Sequence, residues 1–89
     1  MKKVTIYTLN YCPYCKKAKT LLRDKNISFS EIDCSENEEK YIKFLAEKYN
    51  IQSEVTFPQI IFDEERIGGC SDLEHLIQTN KLEKLLKEE

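Results

Sequence analysis

The stretch YTLNYCPYCKKAK, residues 7–19, joins a strand pattern to a helix pattern. Residues 3–9 alternate and are rich in β-branched and aromatic side chains, which indicates a β-strand. Pro13 stands where a first helical turn would begin, a position that tolerates its missing N–H. Apolar residues then recur at helical spacing, so a helix should follow the strand directly. The pair Cys12 and Cys15 therefore lies at a strand-to-helix junction.

The next two segments predict a second strand and a second helix. Residues 27–33 alternate again, as a half-buried strand does. Ser35 and Glu38 have the spacing of a capping box, so Ser35 should cap the second helix and Glu38 should reach back to it. One face of that helix carries the larger apolar side chains, Tyr41, Phe44, Leu45 and Tyr49. The pattern therefore predicts an amphipathic helix after the second strand.

The C-terminal part of the chain predicts a hairpin and a last helix. Residues 58–62, PQIIF, are apolar enough for a buried strand, and an acidic turn separates them from a short strand at residues 66–68. Adjacent glycines then interrupt the chain. Ser71, with Glu74 three residues later, has the capping-box spacing again and should begin the last helix. Residues 82–86 should continue that helix by a turn or two.

The predicted order is β-α-β-α-β-β-α. A strand–helix–strand unit places its two strands parallel with a right-handed crossover, and the last two strands form a hairpin. The fold class is therefore α/β, with a four-stranded mixed sheet flanked by helices on both faces. A CxxC pair within a strand–helix–strand context is typical of a thioredoxin-like redox motif. We expect residues 1–89 to form one domain with a thioredoxin-like fold.

Composition and charge narrow the functional classes. The net charge is −2, so nothing in the bulk charge indicates binding to nucleic acid or to an anionic membrane. The sequence contains no apolar run of roughly 18–20 residues and no secretory leader pattern, so we expect a cytoplasmic protein. In that compartment its four cysteines are better explained by catalysis or metal binding than by permanent disulfides.

The spacing of Cys12 and Cys15 suits thiol–disulfide exchange. A thiolate is the nucleophile in this chemistry, and a cysteine at a helix start faces unpaired N–H groups that favour the charged form. Cys12 would attack a disulfide and Cys15 would then attack the sulfur of Cys12. Pro13 stiffens the turn between them, and Tyr14 offers an aromatic face beside the exposed sulfur. Three lysines behind the pair oppose the helix dipole and are expected to support the thiolate: Lys16, Lys17 and Lys19.

A zinc half-site is the alternative for a CxxC pair, and it requires two more ligands. Cys34, Cys70 and His75 are available, but none has a second ligand at the spacing of a zinc knuckle. We expect His75 to be a solvated surface residue and Cys34 to be a small buried or edge residue. No metal is therefore expected.

Three motifs closely resemble the dithiol glutaredoxins: CPYC at residues 12–15, TFPQI at residues 56–60 and GGCSDL at residues 68–73. They occur in that family's order, and the resemblance covers essentially the whole chain. It implies a thioredoxin fold in which Cys12 is the nucleophile and Cys15 is the resolving thiol. It also implies a cis peptide bond between Phe57 and Pro58, in a loop beside Cys12.

The same resemblance implies a binding site for glutathione as co-substrate. The backbone of Phe57 would pair with the cysteinyl part of glutathione. The Ser71 hydroxyl and the N–H groups of the helix start would bind the γ-glutamyl carboxylate, and Asp72 would bind its ammonium group. The predicted substrate-binding residues are Pro13, Tyr14, Thr56, Phe57, Pro58, Gly69, Cys70, Ser71 and Asp72. Cys70 is interpreted either as a small residue beside the ligand or as a thiol that becomes glutathionylated or forms side disulfides.

The sequence departs from the family pattern where glutathione's glycyl carboxylate is usually held. Leu9 stands where the family often has lysine, and residues 53–55 lack the basic or glutamine side chain often found before the threonine. Lys16 and Gln52 are the nearby substitutes. Phe57 replaces the commoner valine and adds bulk. We therefore expect weaker or altered glutathione binding.

The expected function is a glutathione-dependent thiol–disulfide oxidoreductase that reduces protein–glutathione mixed disulfides and protein disulfides. Its partners would be glutathione and such proteins, with ribonucleotide reductase an acceptor by family analogy, and the protein would act as a monomer. One alternative is a redoxin that thioredoxin reductase reduces. Another is an iron–sulfur carrier in which Cys12 and glutathione hold a [2Fe–2S] cluster between two subunits; Pro13 disfavours it, because such members usually carry Gly or Ser there.

Overall fold

The computed structural model describes residues 1–88, which form a four-stranded sheet with helices on both faces. The strands are β1 (Val4–Thr8), β2 (Ser30–Asp33), β3 (Gln59–Phe62) and β4 (Glu65–Gly68). The helices are α1 (Pro13–Asp24), α2 (Glu38–Lys48), α3 (Cys70–Gln78) and α4 (Leu82–Lys87), and a 3₁₀ turn (Ser35–Asn37) precedes α2. The predicted order is confirmed, with α4 as an additional helix.

The strands lie in the order β2-β1-β3-β4. β1 and β2 are parallel, as the strand–helix–strand pattern predicts, and β3 runs antiparallel to both β1 and β4. All four residues of β3 are buried, because the strand lies inside the sheet and both of its faces are covered. This topology brings the end of β1, the start of β3 and the end of β4 to one edge, where α1 and α3 begin.

Two apolar clusters fix the helices on the sheet. Alternation along β3 directs Ile60 and Phe62 into the cluster formed with α1 and α3, whereas Ile61 joins the cluster formed with α2. Leu22 of α1 and Leu45 of α2 are fully buried, one in each cluster. Burying such a side chain contributes about 1.5–3 kcal/mol. No helix within residues 1–88 has the length and apolarity that crossing a membrane requires.

The predicted capping box at Ser35 is wrong. α2 begins at Glu38, and its N-cap is Asn37, which makes no side-chain cap. The Ser35 hydroxyl donates instead to the Asp33 carboxylate, and its oxygen accepts the Asn10 N–H at 2.8 Å. A capping serine must accept an N–H with its oxygen, and here that oxygen accepts the Asn10 N–H instead, so Ser35 links β2 to the loop that precedes Cys12.

The start and end of the last helix also differ from the prediction. α3 begins at Cys70 with Gly69 as N-cap, and the Asp72 carboxylate accepts the Gly69 N–H at 2.9 Å. A carboxylate at the third helical position suits the positive helix end, so Asp72 takes the part predicted for Glu74. The C-terminal segment is a separate helix, because Asn80 adopts a left-handed conformation with φ 57° between α3 and α4.

Candidate active site

Cys12 is the N-cap of α1. Its backbone is extended, at φ −100° and ψ 110°, and its sulfur accepts the Cys15 N–H at 3.2 Å. Pro13 takes the first helical position, where no N–H is needed. The first turn of α1 contains no acidic side chain. The sulfur thus lies at the positive end of the helix with a direct N–H donor, and both features stabilise a thiolate.

A loop from a distant part of the chain contacts the same sulfur. The bond between Phe57 and Pro58 is cis, as predicted, and the Cys12 thiol donates to the Phe57 carbonyl at 3.5 Å. The Phe57 N–H makes no hydrogen bond to any of residues 1–88. An open N–H beside a reactive sulfur provides a strand-like contact for an extended ligand.

Cys15 differs from Cys12 in exposure. Cys12 is partly exposed, whereas Cys15 is 1% exposed. Burial, together with the hydrogen bond to Cys12, raises the pKa of the Cys15 thiol to about 12. An incoming disulfide can therefore reach Cys12, while Cys15 keeps its proton behind it.

Two of the three lysines behind the pair have carboxylate partners of their own. The Lys17 Nζ lies 3.3 Å from Oε2 of Glu74, and the Lys19 Nζ lies 2.9 Å from Oε2 of Glu31. Within the described chain Lys16 forms no ion pair. The group in direct contact with the Cys12 sulfur is therefore the Cys15 N–H at the helix N-terminus, and two of the three lysines are shared with carboxylates.

An open groove of about 490 Å³ lies beside the cis-proline loop and the start of α3. Its lining residues are Tyr14, Thr56, Phe57, Pro58, Gln59, Arg66, Gly69, Cys70, Ser71, Asp72 and Glu74. The structure thus brings together all the predicted substrate-binding residues except Pro13, which is exposed on α1. The volume suits a small ligand or a peptide segment.

The α3 end of the groove depends on a close contact with glycine. Gly68 has φ +122°, and a Cβ there would lie 2.4 Å from Oδ2 of Asp72. Glycine is therefore required at this position. Because Gly68 has no side chain, Asp72 can accept the Gly69 N–H through Oδ2. Its Oδ1 makes no hydrogen bond within residues 1–88. Ser71 and Asp72 are both exposed, so this end is open to a ligand.

Three groove residues were missed by the sequence interpretation: Gln59, Arg66 and Glu74. Gln59 is 2% exposed; its Nε2 donates to the Thr56 carbonyl at 2.7 Å and its Oε1 accepts from the Arg66 Nε at 2.9 Å. The available signal was a glutamine within an apolar strand, because a buried amide must have partners. These bonds hold the residue that precedes the cis-proline loop.

The remaining cysteines are less accessible than Cys12. Cys70 is 5% exposed, and its thiol donates to the Glu74 carboxylate at 3.6 Å. Burial first, and then Glu74, raise the pKa of Cys70. Cys34 is fully buried in the α2 cluster, and burial raises its pKa to about 11. Among residues 1–88, no group of three His, Cys, Asp or Glu side chains is placed to hold a metal ion.

The expected substitutes for the glycyl anchor lie outside the groove. Leu9 is partly buried and packs against the α2 cluster. The Gln52 amide donates to Asn50 at 2.6 Å on an exposed loop, and neither Gln52 nor Lys16 lines the groove. His75 is exposed, as predicted. The position that the family often fills with a basic group is therefore apolar.

Comparisons with known proteins agree with this geometry. The glutaredoxin family model matches residues 4–67. Glutaredoxin 1 of Rickettsia bellii is 43% identical over 84 residues, which cover 94% of this chain and 86% of that protein. Glutaredoxin 3 of Escherichia coli K12 is 40% identical over 87 residues, which cover 98% of this chain and 100% of that protein.

A solved structure shows the same fold. The solution structure of a glutaredoxin from Brucella melitensis has a TM-score of 0.79 and 44% identity, and the match covers 98% of this chain and 90% of that one. The mixed sheet agrees with this structural match. The chain belongs to the glutaredoxin family, whose members are thiol–disulfide oxidoreductases with a thioredoxin-like fold.

Proposed function

We propose that this protein is a glutathione-dependent oxidoreductase that reduces protein–glutathione mixed disulfides and protein disulfides, with Cys12 as nucleophile and Cys15 as resolving thiol. The observation that carries the proposal is the capped sulfur of Cys12, which accepts the Cys15 N–H at 3.2 Å and is partly exposed. The buried thiol of Cys15 lies directly behind it. This arrangement assigns the two cysteines unequal roles in exchange.

With a glutathione mixed disulfide, the Cys12 thiolate attacks the glutathione sulfur and the bond to the protein sulfur breaks. The protein leaves as a thiolate and takes a proton from water, and Cys12 holds the glutathione. The thiolate of a second glutathione then attacks the glutathione sulfur on Cys12. Oxidised glutathione leaves and the Cys12 thiolate is restored, so this route needs no second cysteine.

With a protein disulfide, Cys12 first forms a mixed disulfide with one protein sulfur. Cys15 then loses its proton and attacks Cys12, which releases the second protein thiol and leaves a Cys12–Cys15 disulfide for glutathione to reduce. Burial is the largest cause of the raised pKa of Cys15, and the hydrogen bond and the charge of Cys12 raise it further. The two contributions from Cys12 end when Cys12 is in a mixed disulfide, so the pKa of Cys15 falls after the first step.

The groove offers glutathione three contacts. The free N–H and the carbonyl of Phe57 suit a strand-like pair with its cysteinyl part. The α3 start is an anion site for the γ-glutamyl carboxylate, where the exposed Ser71 hydroxyl is available. The free Oδ1 of Asp72 suits the ammonium group. These contacts support glutathione as co-substrate, and the apolar Leu9 supports a weaker hold on its glycyl end.

The test is turnover of a glutathionylated peptide, coupled through glutathione and glutathione reductase to NADPH oxidation. We expect Cys12→Ser to abolish turnover and Cys15→Ser to retain it. On a protein disulfide such as insulin, both variants should be inactive, because the second route needs both thiols. Activity in Cys12→Ser, or loss of glutathionylated-peptide turnover in both variants, would contradict the assignment.

A second electron donor is favoured by one observation. Leu9 packs against the α2 cluster in place of a basic side chain, so one expected contact for glutathione is missing. A redoxin that thioredoxin reductase reduces is therefore the second candidate. NADPH oxidation with each reductase system separates the two. Faster reduction by thioredoxin reductase than by glutathione would favour the second candidate.

We also propose that the protein acts as one domain, as a monomer and in the cytoplasm, with ribonucleotide reductase as a candidate acceptor. The packing of Leu73, Leu82 and Leu86 in the same cluster as β1 and β3 supports the single domain, because α3 and α4 share its core. Size-exclusion chromatography with light scattering tests the monomer. Reduction of oxidised ribonucleotide reductase tests the acceptor.

A further inference from the structure

Arg66 on β4 lines the groove, and the proposed reaction leaves it without a role. Its Nε donates to the Oε1 of Gln59, and Gln59 in turn donates to the Thr56 carbonyl. Because Gln59 is 2% exposed, these two hydrogen bonds anchor the guanidinium group of Arg66 to the core. Arg66 itself is exposed, and its terminal nitrogens make no hydrogen bond or ion pair within residues 1–88. The group is oriented, charged and available.

The charges around the groove make this cation distinctive. Among the described residues that line it, the other charged side chains are Asp72 and Glu74, both acidic. Glu74 lies 3.3 Å from the Lys17 Nζ, which balances its charge, whereas Asp72 has only the Gly69 N–H at 2.9 Å. A negatively charged ligand group would be repelled by Asp72 unless a cation faced it. Arg66 is the cation in this lining.

Guanidinium geometry points to the ligand group. Once Nε is bonded to Gln59, the terminal nitrogens still present donors that match the two oxygens of a carboxylate. A lysine could supply the positive charge. It could not bond to Gln59 and at the same time present a pair of terminal nitrogens that matches the two carboxylate oxygens. The position therefore suits a carboxylate that enters the groove beside the cis-proline loop.

We propose that Arg66 is a specificity-determining residue that binds a carboxylate of the disulfide substrate in this groove. This inference rests on the proposed function. Three parts of a glutathionylated protein carry a carboxylate: the γ-glutamyl group, the glycyl end of glutathione, and an acidic side chain next to the modified cysteine. The first and the last are the candidates for Arg66, because the family resemblance puts the glycyl end near Leu9, which does not line the groove. Both have the same chemistry, and Arg66 selects substrates that place one of them in the groove.

The experiment compares the wild-type protein with Arg66→Gln and with Arg66→Lys. Four mixed disulfides serve as substrates. The peptide has either Glu or Gln beside its cysteine. The group attached to that cysteine is either glutathione or a glutathione whose γ-glutamyl α-carboxylate is converted to an amide. Steady-state kcat and KM are measured at low and high salt. A far-ultraviolet circular dichroism spectrum and an unfolding curve confirm that each variant folds.

For substrates that carry the recognised carboxylate, we expect Arg66→Gln to raise KM about tenfold, the effect of losing one charge-assisted contact. Arg66→Lys should raise KM about threefold, because charge remains but the fork is lost. The kcat should stay within about twofold. Added salt should raise KM for the wild type and much less for Arg66→Gln.

The four substrates identify the source of the carboxylate. If the KM effect disappears with the α-amide, the γ-glutamyl group is the ligand; if it disappears with the Gln peptide, the acidic side chain is. Either result supports the proposal. A KM that Arg66→Gln leaves unchanged on all four substrates overturns it. So does an equal fall in kcat on all four, because Arg66 would then act only through Gln59 and the loop. If the wild type turned over none of the four, the proposed function would fail first.

Discussion

Two helix N-termini border the same groove, and each has a cysteine within one residue of its cap. In α1 the sulfur of Cys12 is itself the cap, and no acid lies in the first turn. In α3 the N-cap is Gly69, the Asp72 carboxylate accepts the Gly69 N–H, and Cys70 lies one residue past the N-cap with its thiol bonded to Glu74. A helix end alone therefore does not make a reactive thiol. What matters is whether the sulfur itself occupies the N-cap position, where it can accept an N–H of the first turn, as Cys12 does and Cys70 does not.

The difference explains how two thiols in one site can have different roles. Cys12 is partly exposed and accepts an N–H, which favours its charged form. Cys70 is 5% exposed and donates to a carboxylate, and both burial and Glu74 raise its pKa. Cys70 therefore holds its proton more firmly than an exposed thiol would. Each prediction below alters one of the two helix ends or the lysines near them.

The largest expected effect comes from Gly68→Ala, which alters the α3 end. The new Cβ would lie 2.4 Å from Oδ2 of Asp72, at a residue with φ +122°. We expect the free energy of unfolding to fall by about 3 kcal/mol, since backbone strain of this kind costs about 1–3 kcal/mol and the cap is displaced. Urea unfolding measures it.

Gly69→Ala is the matched control for that substitution. Gly69 has φ −96°, and a Cβ there would meet only the Pro58 carbonyl at 3.5 Å, an ordinary contact. The free energy of unfolding of Gly69→Ala should fall by less than about 1 kcal/mol. Equal losses in the two variants would show that Asp72 does not need the close approach to Gly68.

At the α1 end, Cys12→Ala should destabilise the protein relative to Cys12→Ser. Serine keeps an acceptor for the Cys15 N–H, whereas alanine leaves that donor without a partner. The expected difference in the free energy of unfolding is about 1 kcal/mol, the usual contribution of an N-cap. Urea unfolding under reducing conditions measures it. If the alanine variant were as stable as the serine variant, the sulfur would not be acting as a cap.

The ion pair between the two helices provides the next test. Glu74 raises the pKa of Cys70, and Lys17 lowers it. In a background where Cys12, Cys15 and Cys34 are serine, Glu74→Gln should speed alkylation of Cys70 at pH 8 by about threefold, because more thiolate forms. Lys17→Gln should slow it. Mass spectrometry of iodoacetamide-treated samples follows both rates, and a change in the same direction in both variants would refute the electrostatic account.

The strands and helices could be predicted because their patterns are local. Alternation in residues 3–9 and helical spacing after Pro13 identified β1 and α1, and the motifs around Phe57 and Asp72 identified the groove. The start of α2 could not be predicted in this way. Ser35 bonds to Asn10, which is distant in sequence, so a local capping pattern competed with a tertiary contact and lost.

Arg66 and Gln59 show the same limit at the site. A glutamine among apolar residues signals a buried amide, but its partners are a carbonyl before the cis proline and a side chain on the neighbouring strand. That pairing depends on the register of β3 against β4. The register shifts between Ile60 and Ile61. The carboxylate partners of Lys17 and Lys19 could not be predicted for a similar reason, because they lie on α3 and β2, which are distant in sequence.

The smallest expected effect concerns Lys19, whose Nζ lies 2.9 Å from Oε2 of Glu31. The Lys19 and Thr8 hydrogen bonds lower the pKa of Glu31 below its usual value. A lowered pKa stabilises the folded protein above the unfolded pKa, about 4.3, and the stabilisation disappears as the pH falls through the folded pKa. Lys19→Met should therefore cost about 0.5 kcal/mol at pH 7 and less at pH 2.5. Urea unfolding at both pH values measures this, with Lys16→Met as the control, because Lys16 has no ion pair within residues 1–88. An equal loss in the two variants at pH 7 would mean that general helix charge, and not the bond to Glu31, explains the effect.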